Sequence, residues 1–229
     1  MTVVRSAWWY VDLRRFPHRY PGPAPRGSGV LSGRDYRRIE TTSAVTLAET
    51  LQASHAAPVH ERTAMLAVGS NANPGVMLAK LRAARADTTV VFLQCRVTHL
   101  AVGHSAHVSA AGFVPAAPFR RYGAHTSLHL LLLDDDQLRA VDATEPNYRR
   151  VTLDPAVHPV RVGSAVEGRA SGKESVDVGL VQVYASRHGL LADALGRPVA
   201  LTRQHEARTA FLQGRPPATD QLGLLTRHD

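Results

Sequence analysis

Two short stretches hold residues whose types and spacing could do chemistry. In Val141-Asp142-Ala143-Thr144-Glu145-Pro146-Asn147-Tyr148 a carboxylate stands directly before a proline. Proline disfavours helix for the residue before it, so Glu145 marks the end of any helix formed by the preceding residues. There it meets the negative end of the helix dipole, which disfavours its charged form, and partial burial pushes the same way. A carboxylate so placed suits general acid/base work. The plainer alternative is a solvated Glu145 paired with Arg149 or Arg150. In Val68-Gly69-Ser70-Asn71, small and polar residues end the apolar run Met65–Val68, and Asn73-Pro74 follows. Asn73 is a good N-cap, and Pro74 fits the first helical position, where a missing N–H costs nothing. The loop then aims free backbone N–H groups and a helix N-terminus at one spot, which suits a carboxylate or phosphate. Gly69 permits backbone angles that a residue with a Cβ resists. The plainer alternative here is an ordinary strand–helix connection.

Other constellations are weaker. Gly103-His104-Ser105-Ala106-His107 approaches the nucleophile elbow G-x-S-x-G, but His107 stands where the second glycine is needed. Ser105 and His104 fall between two expected strands and so are candidates to line a pocket. His125 and His129 would share one face of a strand, without the third ligand or H-E-x-x-H pattern of a zinc site. Gly168–Glu174 does not complete a phosphate loop, because Lys173 precedes Glu instead of Ser or Thr. Cys95, the only cysteine, lies in an apolar run and reads as a small buried hydrophobe. It excludes an intrachain disulfide and a cysteine zinc site. These residues offer no metal site.

These groups need elements to position them. The pattern predicts a strand over Met65–Val68 and a helix from Pro74 to about Ala84. A strand follows over Thr88–Val97, extendable to Val102, then a weaker one over Ala106–Phe113 and a buried one over Ser127–Leu133. Asp134-Asp135-Asp136 supplies a cap and first-turn acids for a helix over Gln137–Thr144, whose apolar face holds Leu138 and Val141. Strands are expected over Tyr148–Leu153 and Val176–Tyr184, a polar connection over Gly163–Lys173, and helices over Ser43–Ser54, His188–Leu195 and Gln204–Phe211. Strands outnumber helices and seldom alternate with them, so the fold class is α+β with a mostly antiparallel, barrel-like sheet.

The 229 residues are 44% apolar and 20% charged, an ordinary globular composition. Formal charge is +8, yet only Lys80 and Lys173 are lysines and no dense basic run with interleaved aromatics appears, so a nucleic-acid role is disfavoured. No stretch approaches the length of a membrane span, and the N-terminus lacks the apolar core of a secretory signal, so a cytoplasmic protein is expected. Residues 1–60 read as an arginine-, proline- and glycine-rich arm. It is either a wrapped extension tied down by Trp8, Trp9 and Tyr10, or a basic flap over the site or an oligomer contact. Prolines 17, 21, 23 and 25 and the glycines around them break regular structure in its middle. Residues 61–215 form the expected main domain, and 216–229 a loose tail.

Two of these motifs together resemble a known family. Gly69-Ser70-Asn71 after an apolar strand is similar to the Y-G-S-N/L loop of the γ-glutamylcyclotransferase-like proteins. Val141 to Arg150 resembles their L-D-x-x-E-G-x-x-Y-x-R segment, in the same order along the chain, and Val183-Tyr184 with Gly189 loosely resembles their closing strand. The resemblance covers about half the chain. It implies a small mixed barrel with flanking helices and a cavity opening at the glycine–serine loop. It also implies that Glu145 is the general acid/base and that Gly69, Ser70 and Asn71 bind a γ-glutamyl amine or peptide, which cyclises to 5-oxoproline and releases its amine. Val68 replaces the family's tyrosine at the loop entrance, removing an aromatic hydroxyl that Tyr148 or Tyr184 could supply. Pro146 replaces a glycine and stiffens the approach to Glu145. Val68, Ser105, Tyr148 and Tyr184 complete the expected lining. The competing readings are a non-catalytic relative that binds a small ligand in the same pocket and a nucleic-acid binder using the arginine arm.

Overall fold

In the computed structural model, residues 3–5, 10–39, 44–163 and 179–218 are described, with side chains from residue 10 and, after the gap at 40–43, from residue 47. Nine strands form one sheet: β1 Val3–Arg5, β2 Gly29–Ser32, β3 Asp35–Arg38, β4 Thr63–Ala67, β5 Val90–His104, β6 Ala116–Leu133, β7 Tyr148–Thr152, β8 Val160–Val162 and β9 Val181–Ser186. Four α-helices accompany them among the described residues: α1 Ala44–Ala53, α2 Pro74–Ala84, α3 Asp135–Asp142 and α4 Gln204–Leu212. The hydrogen-bonded order is β1-β3-β2-β5-β6-β4-β9-β7, with β8 paired to β5. Among the described strands only β4 and β9 run parallel. The expected α+β class with a mostly antiparallel sheet and flanking helices is present. The sheet is an open path, however, not a closed barrel: β1 and β7 end it without meeting.

The alternation of β4 divides the core. Ala64 and Leu66 face α1, joining Leu47 and Leu51 with Val91, Leu93, Leu130 and Leu132. Met65 and Ala67 face α2 and α3, joining Met77, Leu78, Leu81, Leu138 and Val141 with Phe92, Leu131 and Leu133. Two-sided burial explains why Leu130–Leu133 is an unbroken apolar run. Cys95 sits in the α1-side core, where burial pushes its thiol up to about 12.

Several elements depart from the sequence expectation. Residues 29–38, read as irregular, form the β2–β3 hairpin, and β2 pairs with β5 through Gly29↔Phe92, Val30↔Val91 and Leu31↔Val90. Gly29 is there because the Tyr36 ring occupies the place of a side chain: a Cβ would lie 2.4 Å from it. β5 and β6 each run well past their apolar halves, to His104 and back to Ala116, because they pair with each other along nearly their whole length. Ala106–Phe113 is the turn region joining them instead of a strand, and His188–Leu195 is held by isolated bridges such as Ser105↔Leu190 instead of a helix. Trp8, Trp9, Gly168–Glu174 and the first three residues of the expected Val176–Tyr184 strand lie outside the described residues.

Candidate active site at the Gly69–Asn71 loop

The loop begins where β4 stops. Residues 70–72 form a single 3-10 turn, and Asn73 caps α2, its Oδ1 accepting from Gly75 N at 2.8 Å and Val76 N at 3.0 Å. Pro74 takes the first helical position, as expected. The second half of the site comes from the end of α3. Asp134 and Gln137 form a capping box at its start, and Leu138 and Val141 anchor it in the core. Thr144 and Glu145 bond back to the last carbonyls of α3. Pro146 and Asn147 then make a tight turn, closed by Tyr148 N donating to Glu145 O at 3.0 Å, that starts β7.

These connections bring Glu145 against the loop. Asn71 Nδ2 donates to Glu145 Oε1 at 3.1 Å, across 74 residues of sequence. Lys80 Nζ, from α2, donates to the same Oε1 at 2.7 Å and to Asn71 Oδ1 at 2.7 Å. The Lys80 and Glu145 side chains are only 16% and 17% exposed, so this pair is shielded rather than solvated. Neither Arg149 nor Arg150 is its partner: Arg150 pairs with Asp142, Nη2 to Oδ2 at 3.3 Å. Glu145 Oε2 receives no hydrogen bond from the described residues.

A third contributor comes from the N-terminal segment. Tyr20, stacked on Phe113 with ring centroids 4.2 Å apart, lays its hydroxyl against the loop. Its Oη accepts from Ala116 N at 2.8 Å. A Cβ on Gly69 would lie 2.3 Å from that oxygen. Gly69 has φ −143°, so the glycine is required by close approach and not by a left-handed backbone, which corrects the reason expected from sequence. Burial raises the Tyr20 phenol far above its usual range, so the hydroxyl stays neutral. Nothing in the sequence around Tyr20 advertises this role; the only signal is that Gly69 needs a reason.

The other expected lining residues divide. The Tyr148 hydroxyl donates to Ala116 O at 2.9 Å, so Tyr20 and Tyr148 take the two backbone groups of one residue. The Tyr184 hydroxyl instead donates to Asp142 Oδ1 at 2.6 Å. Val68 packs against the α1-side core. Ser105 is fully buried beside Tyr148, its Oγ 2.6 Å from His107 Nδ1 and 2.6 Å from Ser186 Oγ. The His107 ring also packs at a tilt against His188, centroids 4.5 Å apart, and burial with that neighbour pulls its pKa down to about 4. His104 is buried between Val114 O and Thr202, which fixes it in the core. His125 and His129 find separate partners, Thr98 and Gly27. No helix among the described residues is long and apolar enough to cross a membrane.

Taken together, the arrangement is a carboxylate with one tied and one untied oxygen, facing a short loop and a neutral phenol. That can accept a proton at one defined atom and return it.

No family model matches the chain, and no curated protein matches it. Solved structures similar to it include a protein of Arabidopsis thaliana (17% identity, 67% of this chain and 85% of that one, TM-score 0.40). Another is an uncharacterized protein of Homo sapiens (15%, 55% and 67%, TM-score 0.38). A third is a gamma-glutamyl cyclotransferase (14%, 56% and 68%, TM-score 0.37).

Proposed function

We propose that the protein is a γ-glutamyl cyclotransferase-like enzyme that releases an amine or peptide from a γ-glutamyl group. The observation that carries the reading is the Asn71–Glu145 hydrogen bond, which joins the two motifs singled out by residue type. Glu145 Oε2 accepts a proton from the substrate's α-ammonium. The freed amine attacks the γ-carbonyl carbon, forming the ring C–N bond. The bond to the leaving nitrogen then breaks as Glu145 returns that proton to it, and the surplus proton left on the ring nitrogen passes over the same Oε2 to the released amine, giving neutral 5-oxoproline and an ammonium ion. Intramolecular attack needs little beyond orientation and one proton carrier, so no cofactor enters. In this reading the Gly69–Asn71 loop and Asn71 Nδ2 hold the substrate beside Oε2, with Tyr148 forming part of the wall.

The test is Glu145→Gln, assayed for 5-oxoproline release from a panel of γ-glutamyl amines and dipeptides, with binding measured in parallel. Retained binding with turnover reduced on the order of 10²–10⁴-fold supports the enzyme. Binding without turnover by the wild type would make the protein a ligand-binding relative instead.

A further inference from the structure

Lys80 stands out chemically. Every other basic residue except Lys173 is an arginine or histidine, yet the cation that meets Glu145 is a lysine. An ammonium is a compact charge with three donors, able to reach two oxygens on different residues. A guanidinium fork instead suits both oxygens of one carboxylate. Lys80 Nζ does the former, at 2.7 Å from both Asn71 Oδ1 and Glu145 Oε1. Asn71 Nδ2 then closes a three-membered cycle by donating to the same Oε1. Lys80 reaches this point from the rigid middle of α2, whose start is fixed by Asn73 and whose inner face is buried by Met77, Leu78 and Leu81.

We propose that Lys80 is a positioning residue: by bridging Asn71 and Glu145 it fixes Oε1 and leaves Oε2 as the oxygen that takes and returns the proton. This rests on the reading of Glu145 as the general acid/base. The same ammonium repels a substrate α-ammonium from the Oε1 side, so the two cations share the carboxylate, one on each oxygen. Lys80 itself exchanges no proton and forms no bond to substrate.

The experiment compares wild type, Lys80→Met, Lys80→Arg and Glu145→Gln on whichever γ-glutamyl substrate the wild type turns over. Misplacing the carboxylate by about 1 Å should lower kcat on the order of 10²-fold in Lys80→Met, with KM changed less than about threefold. Lys80→Arg should recover about tenfold of that loss, because the charge returns without the geometry. Should Lys80→Met fail to fold, Lys80→Gln carries the same expectation. A kcat within about threefold of wild type in Lys80→Met, with Glu145→Gln inactive, overturns the role of Lys80 and leaves the functional reading standing. A raised KM at unchanged kcat also overturns it, because Lys80 would then bind substrate. An active Glu145→Gln, or a wild type with no turnover on the panel, overturns both. A thermal-unfolding cycle over Lys80→Met, Glu145→Gln and the double variant needs no substrate. Non-additive losses are expected, and strictly additive ones would show that Lys80 does not hold Glu145.

Discussion

At the scale of single residues, the site depends on one close approach. The Tyr20 hydroxyl occupies the space that a Gly69 side chain would need, at 2.3 Å from the Cβ position. Gly69→Ala should therefore cost roughly 1–3 kcal/mol, as expected for overpacking a filled site. Tyr20→Phe should cost a similar ~1–3 kcal/mol, because the buried Ala116 N–H loses its acceptor. Because the clash is with the hydroxyl itself, the double variant should lose less than the sum, which denaturant unfolding of all four proteins would measure. His107 gives a pH dependence. An unfolded histidine is half protonated near pH 6.5, whereas folded His107 stays neutral down to about 4. The unfolded state thus binds more protons in that window, so stability falls as pH drops through it. His104 and His129, also lowered by burial, act in the same direction. Denaturant midpoints at pH 7 and pH 5 should differ less in His107→Gln than in wild type.

At the scale of elements, the approach of α2 decides where the loop sits. Asn73 does two jobs: its Oδ1 caps α2, and its Nδ2 donates to Pro23 O at 2.9 Å, tying the N-terminal segment to the helix start. Asn73→Ala removes both and should cost about 1–2 kcal/mol. Asn73→Ser keeps an acceptor for the cap and should cost about half as much, as measured by thermal unfolding. The helices and apolar strands were legible in the sequence because their periodicity and caps are local. α2 and α3 are capped by Asn73 and Asp134 as read, although α3 runs over Asp135–Asp142 instead of Gln137–Thr144, and Glu145 lies just beyond its end. The β2–β3 hairpin was not legible, since its strands are short and glycine-bounded and are strands only by pairing with β5. The polar half of β6 escaped for the same reason: Ala116–Thr126 has no apolar alternation and is held by β5 across the register shift at Thr98/Leu100.

At the scale of the whole molecule, Arg62 joins parts of the chain that are far apart in sequence. Its Nε donates to Ala57 O, and its Nη1 donates to Thr89 O, Leu132 O and Gln137 Oε1, the last three at 3.1 Å. The side chain is fully buried, with Asp134 at 4.0 Å from Nη2. It thereby ties the entry to β4 and the lead into β5 to the end of β6 and the start of α3, which carries Glu145. Arg62→Met removes these donations, leaving Thr89 O with Gln137 Nε2 and Gln137 Oε1 with Asp134 N as their remaining donors, and should destabilise on the order of 3 kcal/mol by chemical denaturation. Lys80 and Glu145 belong to this scale too, because neither has a meaning without the packing of α2 beside α3.

The amino-acid order alone set the residue types that can do chemistry, a glycine–serine–asparagine turn and a carboxylate stopped by proline, together with the helices that carry them. These follow from caps, proline and periodicity, all of which act within a few residues. Packing of α2 beside α3 decided which cation meets Glu145. Sequence proximity offered Arg149 and Arg150, but strand pairing turned Arg150 toward Asp142 and left Lys80 to close the pair. Packing also delivered Tyr20 to Gly69 from 49 residues earlier in the chain. A close approach across that span depends on where two packed elements settle, and no local propensity encodes it.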